Sequence, residues 1–224
     1  MNRKKELVDA IGKIAGRYSA YEVFNDWIRC MAMSISNGLQ IIHDRIWLER
    51  EQTYIDTMRK YSEPERMTLC EMTAWLTETL EDGPDDVLGD VYMTSGMGSK
   101  AAGQFFTPFH VSVLTAKMSL TGLTMSNAEE MGQLKINEPA CGGGAMIIAT
   151  AKALADQGVN YQKVMDVVAQ DLDWKAVYMC YVQLSLLGIK AICVQGNTLQ
   201  EPFNLQKVPK ANILITPRAA GMML

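Results

Sequence analysis

The stretch that decides the fold of the second half of this chain spans residues 134–147 and reads Leu-Lys-Ile-Asn-Glu-Pro-Ala-Cys-Gly-Gly-Gly-Ala-Met-Ile. Its apolar start predicts a short strand over Leu134–Asn137, and a helix is predicted over Ala145–Gln157. Glycines between a strand and a helix let the backbone turn tightly and approach a ligand. In α/β sheets such a turn lies at the carboxyl end of a strand, where ligands bind. A purely structural tight turn is an equally good interpretation of these glycines alone.

The alternation of strands and helices continues downstream of this turn. Further strands are predicted at Val164–Gln170, Lys190–Gln195 and Ala211–Thr216, with a helix over Asp173–Leu187. Helices between consecutive strands indicate crossover connections, which join parallel strands. We therefore predict a doubly wound α/β unit with a parallel sheet.

The part of the chain before this unit has a helical pattern. Apolar side chains recur at helical spacing, for example at Val23, Trp27 and Met31. Residues 83–104 are rich in Gly, Asp and Ser, and this composition predicts a linker or an ordered loop. The sequence thus predicts two parts, an N-terminal helical region over residues 1–100 and an α/β core over residues 101–224.

Composition narrows the class of protein. Hydrophobic residues make up 48% and charged residues 21% of the 224 residues, which excludes wholesale disorder. No apolar run is long enough to span a bilayer, and no secretory signal follows Met1. The five cysteines include no C-x-x-C pair, so we expect no structural metal site and a reducing, cytoplasmic location. The net charge is −4, whereas a protein that binds nucleic acid by itself is expected to have a basic surface.

Polar residues follow each predicted strand. Glu138 precedes the glycines, where it would repel a pyrophosphate but suits a cationic amino group. Either Asp171 or Asp173 can accept the hydroxyls of a ribose; we favour Asp171 for the ribose and Asp173 for the cap of the next helix. Asn197 can hydrogen-bond a purine amino group, although an ordinary turn explains it comparably well. A ligand that needs an amine site, a ribose site and a purine site is S-adenosylmethionine.

Two motifs resemble those of a known family. Gly103–Pro108 reads G-Q-F-F-T-P, and Asn137–Gly144 reads N-E-P-A-C-G-G-G. Both resemble segments of N6-adenine DNA methyltransferases, especially the modification subunits of type I restriction-modification systems and related phage and mobile-element methylases. Ala169–Asp173 and Gly196–Leu199 resemble the next two motifs of that family, in the same order and spacing.

The resemblance implies a Rossmann-like, S-adenosylmethionine-dependent methyltransferase fold and a role for each matching residue. Glu138 would receive the ammonium group of the cofactor, Asp171 would bind its ribose, and Leu172 would lie against its adenine. Asn197 would stand near the adenine amino group. The residues implied in cofactor binding are Phe105, Phe106, Thr107, Pro108, Glu138, Pro139, Ala140, Cys141, Gly142, Gly144, Asp171, Leu172 and Asn197.

The sequence departs from the family pattern after its last predicted strand. There the family has Asn-Pro-Pro followed by an aromatic residue, and this motif holds the flipped target adenine. Here the corresponding positions are Thr216, Pro217, Arg218 and Ala219. Thr216 and Pro217 are therefore the candidate catalytic positions, in a degenerate form of the motif.

Two functions follow from the resemblance. The first is an S-adenosylmethionine-dependent DNA adenine N6-methyltransferase that acts on DNA with help from another subunit. The alternative is a catalytically degenerate module that binds S-adenosylmethionine but lacks the Asn-Pro-Pro-Tyr motif. The parallel sheet would be truncated relative to the family, at about four strands with two exposed edges, so we expect a second copy or another partner to cover an edge.

Overall fold

The structure is a computed structural model, and it describes residues 3–97, 106–122 and 133–222. Its first part is helical, as the sequence predicts. The helices of this part are α1 (Arg3–Ile14), α2 (Ala20–Gly38), α3 (Arg45–Met58), α4 (Glu63–Glu81) and α5 (Val87–Thr94).

Helix α5 contradicts the prediction of a linker or loop over residues 83–104. Asp86 caps this helix, because its side chain accepts a hydrogen bond from the Gly89 N–H group. Val87, Leu88 and Val91 of the helix are fully buried. A short helix with a buried apolar face therefore lies where the composition indicated a connection.

The second part of the chain alternates helices and strands, which confirms the predicted α/β class. Its elements are α6 (Phe109–Ser119), β1 (Leu134–Glu138), α7 (Ala145–Asp156), α8 (Tyr161–Val164), β2 (Met165–Asp171), α9 (Trp174–Leu186), β3 (Lys190–Gln195), a 3₁₀ turn (Lys210–Asn212) and β4 (Ile213–Ile215).

The described sheet has the strand order β1-β2-β3-β4. Strands β1, β2 and β3 are parallel, as predicted. The prediction of a parallel last strand is wrong, because β4 runs antiparallel to β3, with Leu214 opposite Cys193. A parallel connection needs a crossover, usually a helix, and residues 196–212 form only loops and one 3₁₀ turn.

The strand order follows the chain order without a reversal, so the described sheet is wound in one direction and is not doubly wound. Right-handed crossovers then place α7 and α9 on the same face of the sheet. Helix α9 contacts β2 and β3 on one side and α2 on the other. Its residues Val177, Cys180 and Tyr181 are fully buried, as expected for a helix that is covered all round.

None of the helices in the described part of the chain has both the length and the apolar character that a membrane span requires.

Candidate functional site

A cleft of about 290 Å³ opens at the carboxyl ends of β1 and β2. Its floor is the glycine-rich turn between β1 and α7, which in this chain is residues 139–144. The residues that line the cleft are Phe106, Thr107, Glu138, Ala140, Cys141, Gly142, Gly143, Ala145, Met146, Asp171 and Ala176. The crossover topology thus brings the ends of two adjacent strands and the first turns of two helices to one place.

The glycine-rich turn requires glycine at two positions. Gly142 and Gly144 have φ angles of +52° and +96°, in the left-handed region that favours glycine. A Cβ atom on Gly142 would also lie 3.0 Å from Cδ1 of the Phe106 ring, and one on Gly144 would lie 3.2 Å from the Cys180 sulfur. The turn is therefore packed from both sides and cannot accept a side chain without a shift of its neighbours.

Asp171 binds this turn to the end of β2. The Gly142 N–H group donates to its Oδ2 atom at 2.9 Å, and the Asp173 N–H group donates to its Oδ1 atom at 3.0 Å. Each carboxylate oxygen can accept a second hydrogen bond. Asp171 therefore has a structural role in the turn and keeps acceptor capacity that faces the cleft.

Asp173 is the N-cap of α9, as the sequence predicts. Its Oδ1 atom accepts a hydrogen bond from the Lys175 N–H group at 3.0 Å. The two neighbouring acids thus have different environments: Asp171 lines the cleft, and Asp173 satisfies the first turn of the helix.

Glu138 ends β1 and is the second carboxylate of the cleft. Its Oε1 atom accepts one long hydrogen bond, of 3.3 Å, from the Ala140 N–H group. Within the described ranges, neither Glu138 nor Asp171 has an ion pair with Lys, Arg or His. Among the described residues, the two carboxylates of the cleft therefore have no neutralising cation, and their charge favours a cationic ligand.

The one polar side chain within the turn, residues 139–144, is that of Cys141. Its hydrogen bond with Cys180, together with burial, raises the pKa of the Cys141 thiol well above the usual value. The thiol therefore stays neutral, and it contributes to the wall of the cleft as a small, weakly polar group.

The cleft brings together seven of the predicted cofactor-binding residues: Phe106, Thr107, Glu138, Ala140, Cys141, Gly142 and Asp171. The lining does not include Pro108, Pro139, Gly144, Leu172 or Asn197. Leu172 follows Asp171 directly and is 66% exposed, which is unusual for a leucine. The Oδ1 atom of Asn197 accepts a hydrogen bond from the Leu199 N–H group, as in an ordinary turn. Phe105 lies outside the described residues.

The sequence analysis missed three residues of the lining, Ala145, Met146 and Ala176, whereas Gly143 lies within the stretch Pro139–Gly144 that was expected to shape the pocket. Ala145 and Met146 begin α7, and Ala176 lies in the first turn of α9. Their positions directly after the turn and after the Asp173 cap were available in the sequence. The side chains of Ala145 and Ala176 are small, so they take up little of the cleft.

The structure does not bring Thr216 and Pro217 to this cleft. Because β4 is antiparallel to β3, the end of β4 lies beside the amino end of β3. The cleft is at the carboxyl ends of the strands, and the two ends of a six-residue strand such as β3 are about 17 Å apart. Thr216 is fully buried, its hydroxyl donates to the Ile189 carbonyl at 2.7 Å, and it accepts from the Ala191 N–H group at 2.9 Å. In this structure Thr216 binds the end of β4 to β3.

Comparison with known proteins identifies the family of this chain. Residues 84–217 match the family model described as N-6 DNA methylase. The chain is also similar to the solved structure of the methyltransferase subunit of a type I restriction-modification system from Streptococcus thermophilus, with 13% identity and a TM-score of 0.43. That similarity covers 92% of this chain and 59% of the other chain. Since the family model matches more than half of its residues, this chain belongs to the N-6 DNA methylase family.

Proposed function

We propose that the cleft binds S-adenosylmethionine and that the chain takes part in the transfer of its methyl group to the N6 atom of adenine in DNA. The proposal rests on one observation: Glu138, the glycine-rich turn and Asp171 meet at the carboxyl ends of β1 and β2, in a chain of the N-6 DNA methylase family. When bound, the cofactor supplies an activated methyl group. The chain's own residues bind it, orient it and surround it.

The residues of the cleft fit this cofactor. The Glu138 carboxylate suits its ammonium group, and the free acceptor sites of Asp171 suit the hydroxyls of its ribose. Glycines in the turn allow the backbone to come close to a ligand. The cleft volume of about 290 Å³ is near the lower end of the range for small-molecule sites, and exposed Leu172 offers an apolar surface beside it for a purine.

The charge of the cleft supports a sulfonium compound over a neutral nucleoside. Both carboxylates lie without a described cationic partner, so a ligand that carries positive charge at its amino acid end gains attraction from Glu138. Phe106 adds an aromatic ring over the turn, and aromatic rings attract cations by their faces. An adenine nucleotide with phosphates beside Glu138 is disfavoured by that acid.

DNA binding requires help from a partner in this proposal. The net charge of −4 gives the chain little attraction for a phosphate backbone. Within the described sheet, β1 pairs only with β2, so its outer edge offers backbone groups to another chain. The other edge is already used, because the Ile213 and Ile215 carbonyls of β4 accept hydrogen bonds from Arg50 and Tyr181. We propose that a second copy or another subunit covers an edge and supplies contacts to DNA.

A second candidate function has its own support. The hydroxyl of Thr216 makes two backbone hydrogen bonds at the amino end of β3, the end opposite the cleft, where it cannot hold an adenine beside the cleft. Ala219 also lacks the ring that would stack on a flipped base. These observations favour a module that binds S-adenosylmethionine without transferring the methyl group by itself.

One experiment separates the candidates. Binding of S-adenosylmethionine is measured by calorimetry, and tritiated S-adenosylmethionine is then supplied with DNA of mixed sequence, with and without purified type I restriction-modification subunits. Label in adenine supports the methyltransferase. Binding without transfer in either condition supports the degenerate module, and the lack of measurable binding contradicts both.

A further inference from the structure

A buried glutamine connects the glycine-rich turn to helix α5. Gln183 of α9 is fully buried. Its Nε2 atom donates one hydrogen bond to the Gly143 carbonyl and one to Oδ1 of Asp86, both at 2.9 Å. Its Oε1 atom accepts a third from the Leu88 N–H group, also at 2.9 Å. Both amide protons and the amide oxygen are therefore used, which fixes the orientation of the side chain.

Asp86 holds this glutamine in place. The whole residue is 2% exposed, and its Oδ1 atom also accepts from the Gly89 N–H group at 3.1 Å as the cap of α5. A Cβ atom on Gly89 would lie 2.1 Å from Oδ2 of Asp86, so the close approach of the carboxylate depends on that glycine. The Asp86–Gln183 pair is thus built into the start of α5.

Helix α5 reaches the same turn by a second route. Tyr92, near its other end, is fully buried, and the centre of its ring lies 5.2 Å from that of Phe106. Phe106 in turn packs against Gly142, where a Cβ atom would be 3.0 Å from the ring. Asp86, the cap of α5, therefore acts on Gly143 through Gln183, and Tyr92 of α5 acts on Gly142 through Phe106.

We propose that Gln183, held by Asp86, is a positioning residue that fixes the glycine-rich turn in its ligand-binding conformation and makes α5 part of the cofactor site. This inference rests on the proposed binding of S-adenosylmethionine. Gly143 stands between two glycines with positive φ angles, so few covalent restraints hold its carbonyl. A fixed turn lowers the ordering cost that a ligand must overcome on binding.

Paired substitutions separate positioning from general stability. Gln183→Glu places a carboxylate against Asp86 and removes the donor to the Gly143 carbonyl. Adding Asp86→Asn restores a donor between the two side chains and keeps an acceptor for the Gly89 N–H group. Measured above the pKa of the introduced carboxyl, where that group is ionised, the double variant therefore regains the link between α5 and α9 but has no donor for the Gly143 carbonyl.

Affinity for S-adenosylmethionine by calorimetry and the melting temperature are measured for both variants. We expect the single variant to lose both stability and affinity. We expect the double variant to regain most of the melting temperature while its affinity stays at least about tenfold below that of the wild type. Recovery of affinity together with the melting temperature would overturn the positioning role.

Gln162→Glu is a control for the same chemical change at an exposed residue, where a smaller loss of stability is expected. Gln162 also donates an amide hydrogen bond to a backbone carbonyl, that of Leu187, at 2.9 Å, but it lies in α8, away from the turn. This variant should lose stability without a loss of affinity. An equal loss of affinity in the control and the double variant would show that stability alone explains the effect.

Hydrogen exchange tests the inference without a cofactor. The amides of Cys141 and Gly144 donate to the carbonyls of Gln170 and Cys141, at 2.9 and 2.8 Å, and report on the turn. In the double variant these two amides should exchange faster, while those of β2 and β3 stay protected as in the wild type. Exchange that rises equally throughout the chain contradicts the inference. Failure of the wild type to bind S-adenosylmethionine would contradict the proposed function and leave this exchange result to decide the positioning role.

Discussion

Asp171→Asn should weaken the binding of S-adenosylmethionine strongly and destabilise the protein moderately. The two oxygens of Asp171 accept separate backbone hydrogen bonds, from Gly142 and from Asp173. An asparagine has only one acceptor oxygen, so one of these N–H groups must face an NH₂ group. Hydrogen bonds to charged groups contribute about 1.5–3 kcal/mol each, and the partial exposure of Asp171 favours the lower end. We therefore expect a loss of about 1–2 kcal/mol in the free energy of unfolding.

The loss of affinity adds two effects. The ribose hydroxyls lose a charged acceptor, and the Gly142 end of the turn loses its restraint, so a decrease of about tenfold to a hundredfold is expected. Calorimetric titration measures the affinity, and thermal unfolding measures the stability. Asp166→Asn is the control, because Asp166 lies on the same strand and pairs with Lys190 at 3.0 Å away from the cleft. Equal affinity of Asp171→Asn and the wild type would refute the assignment of Asp171 to the ribose.

Three further outcomes are expected. Gly142→Ala should destabilise the protein by about 1–3 kcal/mol and weaken cofactor binding in a titration, because a left-handed backbone and a ring carbon 3.0 Å away both oppose a Cβ atom; a variant of wild-type stability would contradict the packed turn. Thr216→Val keeps the shape of the side chain but removes two buried hydrogen bonds, so denaturant unfolding should show a loss of about 1–3 kcal/mol in the free energy of unfolding, with cofactor affinity unchanged. A loss of affinity would place Thr216 at the cleft after all. Burial raises the pKa of Asp86, so the folded state keeps this proton to higher pH than the unfolded chain does, and stability falls as the pH rises from the ordinary carboxyl value of 3.8 through the raised pKa. Asp86→Asn removes the titrating carboxyl, so its stability relative to the wild type should rise as the pH is raised over that window. A stability difference that is constant with pH would contradict the raised pKa of Asp86.

The parts of the fold that were predictable have strong local patterns. Strands β1 to β3 are short apolar runs bounded by turn residues, and helices between them indicate parallel pairing. The orientation of β4 was not predictable from its own residues, because Ile213–Ile215 can pair in either direction. What decides it is the connection from Gln195, which contains no helix to carry the chain back across the sheet.

Helix α5 was missed because turn residues precede it. Gly83, Pro84, Asp85 and Asp86 indicate a loop, yet Asp86 is the cap of a helix whose apolar residues are buried. The two carboxylates of the cleft and the glycine-rich turn were predictable, since the acids end strands and the turn joins β1 to α7. Gln183 was not, because a polar residue in the middle of a helix gives no sign of its partners, and its contacts with Gly143 and Asp86 depend on the tertiary packing of α9.

A crystal structure of the protein with S-adenosylmethionine at saturating concentration tests the central claim most directly. The account predicts density in the cleft, with the ammonium group at hydrogen-bond distance from Glu138 and the ribose hydroxyls at hydrogen-bond distance from Asp171. Density elsewhere on the molecule, or a cleft that holds only solvent, would contradict the account.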